Sequence, residues 1–260
     1  VKPIVTVREL GGLGNIMWEY ASVYAFAKAT DREGFVPTCI ARRLSAVFDN
    51  LTLPTLPDAG HCSVSLPRFV KKTDDPGLVE GNIQLGNYVQ LTSYVIPILN
   101  EITEMFNFNS ELKEHSERIL RNVSEHVNAT FFIGVHVRRT DYKFYLKREF
   151  SAKMVGAEYF LRNMEYFRNK YNSVVFLVVS DDPDWCDDNL RASDVVITRN
   201  NTPEQDLAIL ASCNHTLMDY GTFGMWGAMF AGGETLLYDL KRKCLEADVT
   251  SLMPTWRLIS

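Results

Sequence analysis

The feature that most limits the fold is a regular alternation of apolar runs and helical patterns after residue 130. Strands are predicted at Phe131–Val137, Val174–Ser180, Val195–Thr198, Thr216–Asp219 and Thr235–Tyr238. The segments between them have helical spacing, at Ala152–Tyr171, Trp185–Arg191, Glu204–Cys213 and Phe223–Ala231. Strands that alternate with helices form βαβ units, so we predict an α/β fold with a doubly wound parallel sheet. Ligands of such sheets bind at the carboxyl ends of the strands.

The first half has a weaker pattern of the same kind. A strand at Ile4–Val7 is followed by the glycines 11, 12 and 14, and then by a helix that Asn15 is expected to cap. Further elements are predicted as a strand at Phe35–Ile40 and helices at Ala41–Phe48, Leu91–Phe106 and Glu111–Val127, with irregular structure over Leu51–Asp75. We therefore predict two lobes, residues 1–129 and 130–260.

Composition excludes several classes of protein. With 46% hydrophobic and 23% charged residues among 260, the chain has the make-up of a folded globular protein. A net charge of −5 and the absence of any Lys/Arg block longer than a pair argue against a nucleic-acid partner. No run of about 18 apolar residues is present, so no membrane span is predicted. Because the chain begins at Val1 without the zones of a signal peptide, we expect a soluble catalytic part whose membrane anchor is missing.

Cysteines and asparagines bear on the cellular compartment of the protein. Five cysteines without a CxxC pair do not suggest a disulfide scaffold or a zinc site. Five N-x-Ser/Thr acceptor sequences, at Asn50, Asn122, Asn128, Asn200 and Asn214, favour the secretory pathway.

The strongest functional signal follows the strand Phe131–Val137. His136 interrupts this apolar run, and Arg138, Arg139 and Asp141 come directly after it. The planar guanidinium of arginine binds phosphate bidentately and keeps its charge, so Arg138 suits a pyrophosphate. The structural alternative is an ion pair of Arg138 or Arg139 with Asp141, with His136 as a satisfied core histidine.

Two further segments carry possible ligand contacts. Gly221, Thr222 and Phe223 lie between a strand and a helix, where backbone amides at a helix N-terminus favour phosphate, although a simple capped turn also fits. Asp206 lies one turn into a helix; it could accept the N–H groups of guanine, or it could merely be stabilised by the helix dipole.

Other motifs narrow the chemistry. Asp182-Pro-Asp184 has the DxD spacing of some metal-dependent sugar transferases, but Pro183 in a first helical turn with Asp182 as N-cap explains the same residues. The glycine cluster is neither GxGxxG nor a P-loop, and neither GxSxG nor HExxH occurs, which removes dinucleotide, NTPase and common hydrolase functions.

Together these motifs resemble the α-1,2-fucosyltransferases, a family of inverting, GDP-fucose-dependent glycosyltransferases. The matching segments are Gly12–Met17 with Tyr20-Ala21, Gly86–Gln90, His136–Tyr142, Ser180–Asp182, Asp206, Cys213–Met218 and Gly221–Ala228. They occur in the family's order over residues 11–233. Two positions depart from the pattern, since the family commonly has glycine at 140 and glutamine at 16, where this chain has Thr140 and Ile16.

The resemblance implies a GT-B-like fold of two lobes, GDP-fucose as donor, a galactose-terminated glycan as acceptor, and no metal or other cofactor. It implies that Arg138, Gly221, Thr222 and Phe223 hold the pyrophosphate and that His136 and Asp206 contact guanine. Gly14 and Asn15 would reach the donor from the first lobe. Asp141 is the candidate catalytic base, with a structural role beside Arg139 as the alternative.

The resemblance also implies a Golgi enzyme with an N-terminal signal anchor. Two other functions stay open at this point. One is a catalytically silent protein that binds a glycan or GDP-sugar, and the other is a metal-dependent transferase that uses Asp182 and Asp184.

Overall fold

The computed structural model describes residues 2–56, 69–70, 80–127, 131–241 and 244–260. The chain divides into two compact units, Val1–Asn109 and Ser110–Ser260. Each unit contains a parallel sheet of its own.

The first unit is built on four short parallel strands. In chain order the elements are β1 Ile4–Thr6, α1 Leu13–Ala29, β2 Glu33–Gly34, α2 Thr38–Ser45, β3 Phe69–Val70, β4 Ile83–Leu85, α3 Thr92–Val95, a 3₁₀ turn Ile96–Ile98 and α4 Leu99–Met105. The strands lie in the order β2-β1-β4-β3. Helix α1 is buried over most of its length, including Trp18, Tyr20 and Phe26, so it forms the centre of this unit's core.

Three predictions for this unit need correction. The run predicted as a strand at Phe35–Ile40 instead follows β2 and enters α2, because Pro37 has the extended ψ of 145° of an N-cap residue and the helix begins at Thr38. Asn15 does not cap α1; Gly12 holds that position, and Asn15 already lies inside the helix. Within the segment predicted as irregular, Leu51–Asp75, β3 is a strand, while residues 57–68 and 71–75 lie outside the described residues.

The second unit contains a six-stranded, wholly parallel sheet. Its elements are α5 Ser110–Val127, β5 Phe131–Val137, α6 Tyr142–Tyr145, a π-helical turn Leu146–Phe150, α7 Ala157–Lys170, β6 Val174–Ser180, α8 Pro183–Leu190, β7 Val195–Ile197, α9 Pro203–Ala211, β8 His215–Met218, α10 Thr222–Ala231, β9 Thr235–Tyr238, α11 Leu245–Leu252 and β10 Trp256–Ile259. The five predicted strands and four predicted helices are confirmed, with ends shifted by up to five residues. Helix α6, the π-helical turn, helix α11 and strand β10 were not predicted.

Helices cover both faces of this sheet, as a doubly wound fold requires. One face packs the inward side chains of β5 and β6 against α7 and α8, in a cluster that includes Ile133, Phe160, Phe167 and Leu190. The opposite face packs Val175 and Leu177 against side chains of α5 and α9. The alternation of side chains along β6 explains how one apolar strand serves two cores.

Helix α5 belongs to the second unit, not to the first lobe as predicted. Ser212 donates a hydrogen bond to the Ser116 hydroxyl at 3.0 Å, and Ile119 and Leu120 pack against the core under α9. The observed boundary at 109/110 therefore differs from the predicted boundary at 129/130 by the length of this helix. Helical spacing identified α5 but carried no information about the partner of its apolar face.

The strand order places a topological switch point between β5 and β8. The order is β10-β9-β8-β5-β6-β7, so the chain first builds outward on one side of β5 and then returns to build on the other. Loops that leave the carboxyl ends of β5 and β8 diverge to opposite faces of the sheet. The crevice between such loops is where open α/β sheets bind ligands.

Among the described residues, no helix combines the length and apolarity that a membrane crossing needs.

Within the same ranges Cys39, Cys186, Cys213 and Cys244 are free thiols, while Cys62 lies outside them. The acceptor asparagines Asn50, Asn122, Asn200 and Asn214 are exposed, and Asn128 also lies outside the described residues. Glycosylation at these positions stays a prediction.

Candidate functional site

The loop that leaves β5 is fixed by carboxylates from both neighbouring strands. The backbone N–H of Arg138 donates to Asp219 Oδ2 at 2.8 Å, at the end of β8. The next two amides, of Arg139 and Thr140, donate to Asp181 at 2.7 and 3.2 Å, at the end of β6. Three successive amides are thus held, so the direction in which the Arg138 side chain leaves the sheet is set by the sheet itself.

The Arg138 guanidinium is paired but partly accessible. Its Nη2 lies 2.6 Å from Asp141 Oδ1 and its Nη1 lies 3.0 Å from Asp181 Oδ2, and 34% of the side chain is exposed. The predicted ion-pair alternative is therefore present in this structure. Asp141 is 69% exposed, and such a solvated pair contributes only about 0–1 kcal/mol. An anionic ligand with two or more charges can compete for the same guanidinium.

Arg139 has a structural role. Its guanidinium donates to the Val155 carbonyl at 2.7 Å and lies over the Trp185 ring, 3.8 Å from the centroid. The Arg139 guanidinium is therefore engaged by a backbone carbonyl and by an aromatic face. Asp141 pairs with Arg138 and not with Arg139, which corrects the structural alternative considered for Asp141.

His136 lies beneath the site rather than in an apolar core. It is only 5% exposed, its Nδ1 is 3.6 Å from Asp219 Oδ1, and its ring centroid is 5.6 Å from that of Phe223. Asp219 is fully buried, and this burial raises its pKa, while the histidine and the amides of Arg138 and Tyr220 oppose the rise. Asp219 therefore joins the end of β5 to the end of β8.

Glycines bring the first turn of α10 close to His136. Gly221 has φ of +98°, a conformation that favours glycine, and its N–H donates to the buried Glu246 at 3.2 Å. A Cβ on Gly224 would lie 2.6 Å from His136 Nδ1, so only glycine permits this approach. Thr222 and Phe223 begin the helix, and the amides of its first turn carry the partial positive charge of an N-terminus.

Asp206 occupies the first turn of α9 near the same histidine. Thr202 and Gln205 form a capping box that starts the helix. Burial raises the pKa of Asp206, and a hydrogen bond from Asn201 at 2.9 Å and the charge of His136 oppose the rise. A half-buried carboxylate that stays an acceptor suits a ligand with paired N–H donors.

The glycine segment before α1 belongs to the first unit. Gly11 has φ of +85°, and a Cβ there would lie 2.4 Å from Asn15 Nδ2, so the asparagine packs directly on this turn. Both carboxylate oxygens of the buried Glu19 accept from the Leu10 N–H at 3.2 Å, and burial raises the pKa of Glu19 to about 8. Gly14 is buried in the same segment. The part of Gly14 and Asn15 in donor binding stays a prediction.

Sequence reasoning missed Asp219, Asp181, Glu246 and Glu19 as organising residues. Asp181 directly follows the predicted strand Val174–Ser180, and Asp219 is the last residue of the predicted strand Thr216–Asp219, so a polar residue at a carboxyl end was an available signal. Glu246 and Glu19 had no such signal. Both carboxylates sit on helices and meet their amide partners only through the tertiary fold.

The two aspartates of the DxD spacing, Asp182 and Asp184, have separate partners. Asp182 caps α8 by accepting from the Trp185 N–H at 3.1 Å, as predicted, and Asp184 pairs with Arg199 at 2.9 Å. Within the described ranges, no group of three or more His, Cys, Asp or Glu side chains is arranged to hold a metal ion.

Comparison with solved structures places the fold. A fucosyltransferase NodZ from Bradyrhizobium superposes with a TM-score of 0.58 at 15% identity, covering 93% of this chain and 96% of that one. Arabidopsis thaliana FUT1, solved in complex with GDP, gives a TM-score of 0.59 at 13% identity, covering 91% and 70%. The predicted GT-B-like α/β fold with a Rossmann-like second unit is confirmed.

Comparison with known sequences places the family. A galactoside alpha-(1,2)-fucosyltransferase 2 from Bos taurus is 34% identical over 250 residues, which are 91% of this chain and 71% of the relative. The Sus scrofa protein of the same name is 34% identical over 252 residues, or 91% and 72%. The sequence profile of glycosyl transferase family 11 matches residues 1–243. The resemblance drawn from the motifs is thereby confirmed, and the chain belongs to glycosyl transferase family 11.

Proposed function

We propose that this protein transfers L-fucose from GDP-fucose to the 2-hydroxyl of a terminal galactose on a glycan, with inversion and without a metal. The names of its relatives support the donor sugar and the acceptor. The observation that carries the proposal is the partly exposed Arg138 at the switch point of the sheet, next to the N-terminus of α10.

The donor's diphosphate binds Arg138 and the first-turn amides of α10 at Thr222 and Phe223, after the Gly221 turn. Both groups are held in advance: Arg138 by the carboxylates around its backbone, and α10 by the close approach of Gly224 to the strand end. Anion binding at such an N-terminus needs no large rearrangement.

The contacts with the guanine base of the donor, and the remaining donor contacts, are proposed from the family motifs. His136 and Asp206 contact guanine, whose N1–H and 2-amino groups match a carboxylate acceptor. Gly14 and Asn15 of the first unit are proposed as further donor contacts on the strength of the Gly12–Met17 motif alone.

Arg138 and the first-turn amides of α10 stabilise the negative charge that develops on GDP during the reaction. Cleavage of the fucosyl–phosphate bond builds positive charge on the sugar and negative charge on the departing GDP. Arg138 and the α10 amides interact more strongly with that developing charge than with the ground state, which lowers the barrier. They supply the stabilisation that a divalent cation supplies in DxD transferases, and Asp182 and Asp184 are engaged elsewhere.

Attack on the face of the sugar opposite the phosphate gives inversion. Asp141 is the proposed base that removes the acceptor proton late in the step. Its exposure leaves it accessible to a hydroxyl, and its pairing with Arg138 offers the alternative role of orienting the guanidinium. The two roles differ in their effect on GDP binding, since only loss of the orienting role changes it.

The proposed location is the Golgi lumen, with the full-length protein a type II membrane protein. This proposal is supported by the N-x-Ser/Thr acceptor sequences and by the resemblance that the motifs carry. The proposed partners are GDP-fucose and a galactose-terminated glycan, with no nucleic acid.

One set of assays tests the function. The protein is incubated with GDP-fucose, other GDP- and UDP-sugars and β-galactosides, with and without EDTA, and the anomeric configuration of any product is read by NMR. We expect fucosylated product of α configuration, at the same rate in EDTA. Binding of GDP-fucose without transfer would favour a silent binding protein, and loss of turnover in EDTA would contradict the metal-free mechanism.

The matched variants are Arg138→Ala and Arg148→Ala. Arg148 lies ten residues further along and is 75% exposed, so its loss removes the same charge without touching the site. We expect the first variant to lose nearly all transfer with its fold intact and the second to keep it. Equal activity of the two variants would refute the role assigned to Arg138.

A further inference from the structure

A relay of hydrogen bonds leads from Arg118 on helix α5, through His115 and Asn201, to Asp206. Arg118 Nη2 lies 3.0 Å from His115 Nδ1, and His115 Nε2 lies 3.1 Å from Asn201 Oδ1. The Asn201 amide nitrogen then donates to Asp206 Oδ1 at 2.9 Å. All four residues belong to the second unit.

The donor and acceptor roles along this chain are consistent in only one direction. A guanidinium can only donate, so Nδ1 of His115 accepts and the imidazole is neutral with its proton on Nε2. That Nε2–H donates to the Asn201 carbonyl oxygen, which turns the amide NH₂ group toward Asp206. An NH₂ group can only donate, so the Asp206 oxygen that it meets must accept.

We propose that His115 and Asn201 are positioning residues that hold Asp206 as an acceptor for the base of the donor nucleotide. The inference rests on the proposed function, because it deepens the role of Asp206 in guanine recognition. Guanine presents two N–H donors at its Watson–Crick edge, and a carboxylate that is fixed and unprotonated matches them. The hydrogen bond from Asn201 also lowers the pKa of Asp206 against the effect of burial.

Helix α5 holds the first two residues of this relay, Arg118 and His115, in a fixed position. Ser116, next to His115, is 2% exposed and accepts a hydrogen bond from Ser212 just after α9. One turn further on, Ile119 packs on the core beneath α9. The helix is therefore attached at two points directly after His115 to α9 and the residue that follows it, the segment that carries Asp206. The hydrogen bonds give α5 a part in the site that its distance in sequence conceals.

The test measures dissociation constants for GDP, inosine diphosphate and pyrophosphate by calorimetry. Asn201→Asp keeps the shape of the side chain and the Asn200-x-Thr202 acceptor sequence but places a carboxylate against Asp206. We expect GDP binding to weaken about tenfold or more, as for loss of a hydrogen bond to a charged group, with pyrophosphate binding unchanged. The preference for GDP over inosine diphosphate, which lacks the 2-amino group, should shrink.

Variants of His115 separate positioning from folding. His115→Phe removes the N–H and should weaken GDP binding in the same way, whereas His115→Gln restores a donor and an acceptor and should recover it. Glu114→Ala, an exposed neighbour on α5, is the control. Equal weakening of GDP and pyrophosphate, or only a lower Tm, would overturn the relay.

The same assay distinguishes failure of the proposed function from failure of the roles given to His115 and Asn201. If the wild-type protein fails to bind GDP, or binds it equally well after Arg138→Ala, the proposed function fails and the relay with it. If GDP binds and needs Arg138, but Asn201→Asp leaves the ratio of GDP to pyrophosphate affinity unchanged, only the relay is wrong.

Discussion

Replacing Gly224 by alanine tests whether close packing at the switch point builds the donor site. The added Cβ would lie 2.6 Å from His136 Nδ1, 2.8 Å from its Cγ and 3.1 Å from Met218 Cε. Carbon atoms pack at about 3.5–4.0 Å, so the helix or the imidazole must move by about 1 Å. The histidine has little freedom to move, because it is buried beside Asp219 and Phe223.

The loss of stability in Gly224→Ala follows from this steric overlap. Overpacking of a well-packed interior costs about 1–3 kcal/mol. In a protein of this size, 1 kcal/mol lowers Tm by roughly 2–4 °C, so the expected drop is about 2–12 °C. Catalysis should suffer more than stability, since a displacement of about 1 Å at a reacting site can cost about a hundredfold in rate.

The assay pairs calorimetric Tm with GDP affinity and fucosyl transfer. Gly156→Ala is the matched control, because its Cβ would meet nothing within 4 Å and its φ of −87° suits alanine. We expect the control to stay within about 0.5 kcal/mol of the wild type. If Gly224→Ala matched this control in Tm, GDP affinity and rate, the close approach of α10 to the strand end would not be what positions the site.

Four further predictions concern carboxylates. Asp219→Ala should weaken GDP binding and lower Tm, because the Arg138 amide loses its buried acceptor; unchanged GDP affinity in calorimetry would contradict this. Burial raises the pKa of Glu19 from 4.5 to about 8, so its contribution to stability is fully present below pH 4.5 and is lost progressively as pH rises to about 8. Glu19→Gln should flatten that fall in denaturant titrations across this pH range, and an unchanged slope would refute it. Asp182→Ala should cost about 0.5–2 kcal/mol as a lost helix cap, and Asp184→Asn should leave transfer unchanged with and without EDTA; loss of activity in Asp184→Asn would restore the metal-dependent alternative.

Local patterns determined much of the second unit and of its site. Buried parallel strands need continuous apolar runs, and the helices between them need a spacing of 3.6 residues, so β5, β6 and α10 can be identified from their own residues. The motifs after β5 and β8 likewise identified Arg138 and Thr222, because ligand contacts in such sheets follow the strands.

Other assignments depended on the geometry of a local turn or on contacts distant in sequence. The glycine turn before α1 decided that Gly12, and not Asn15, precedes the helix, although asparagine is the better cap by preference. The apolar face of α5 has the same spacing whichever unit it packs against, and only its contacts with α9 assign it to the second.

The sequence by itself determined the family, the parallel sheet of the second unit and the loop that carries the cationic residue. Only the tertiary structure decided how two adjacent arginines are held, since Arg139 is engaged by the Val155 carbonyl and the Trp185 ring, whereas Arg138 pairs with Asp141 and Asp181. It also decided that Asp219, 81 residues from Arg138, holds that loop. The physical reason is that helix and strand periods are short-range properties of the chain, whereas a buried carboxylate finds its amide partners only when strands far apart in sequence become neighbours in the sheet.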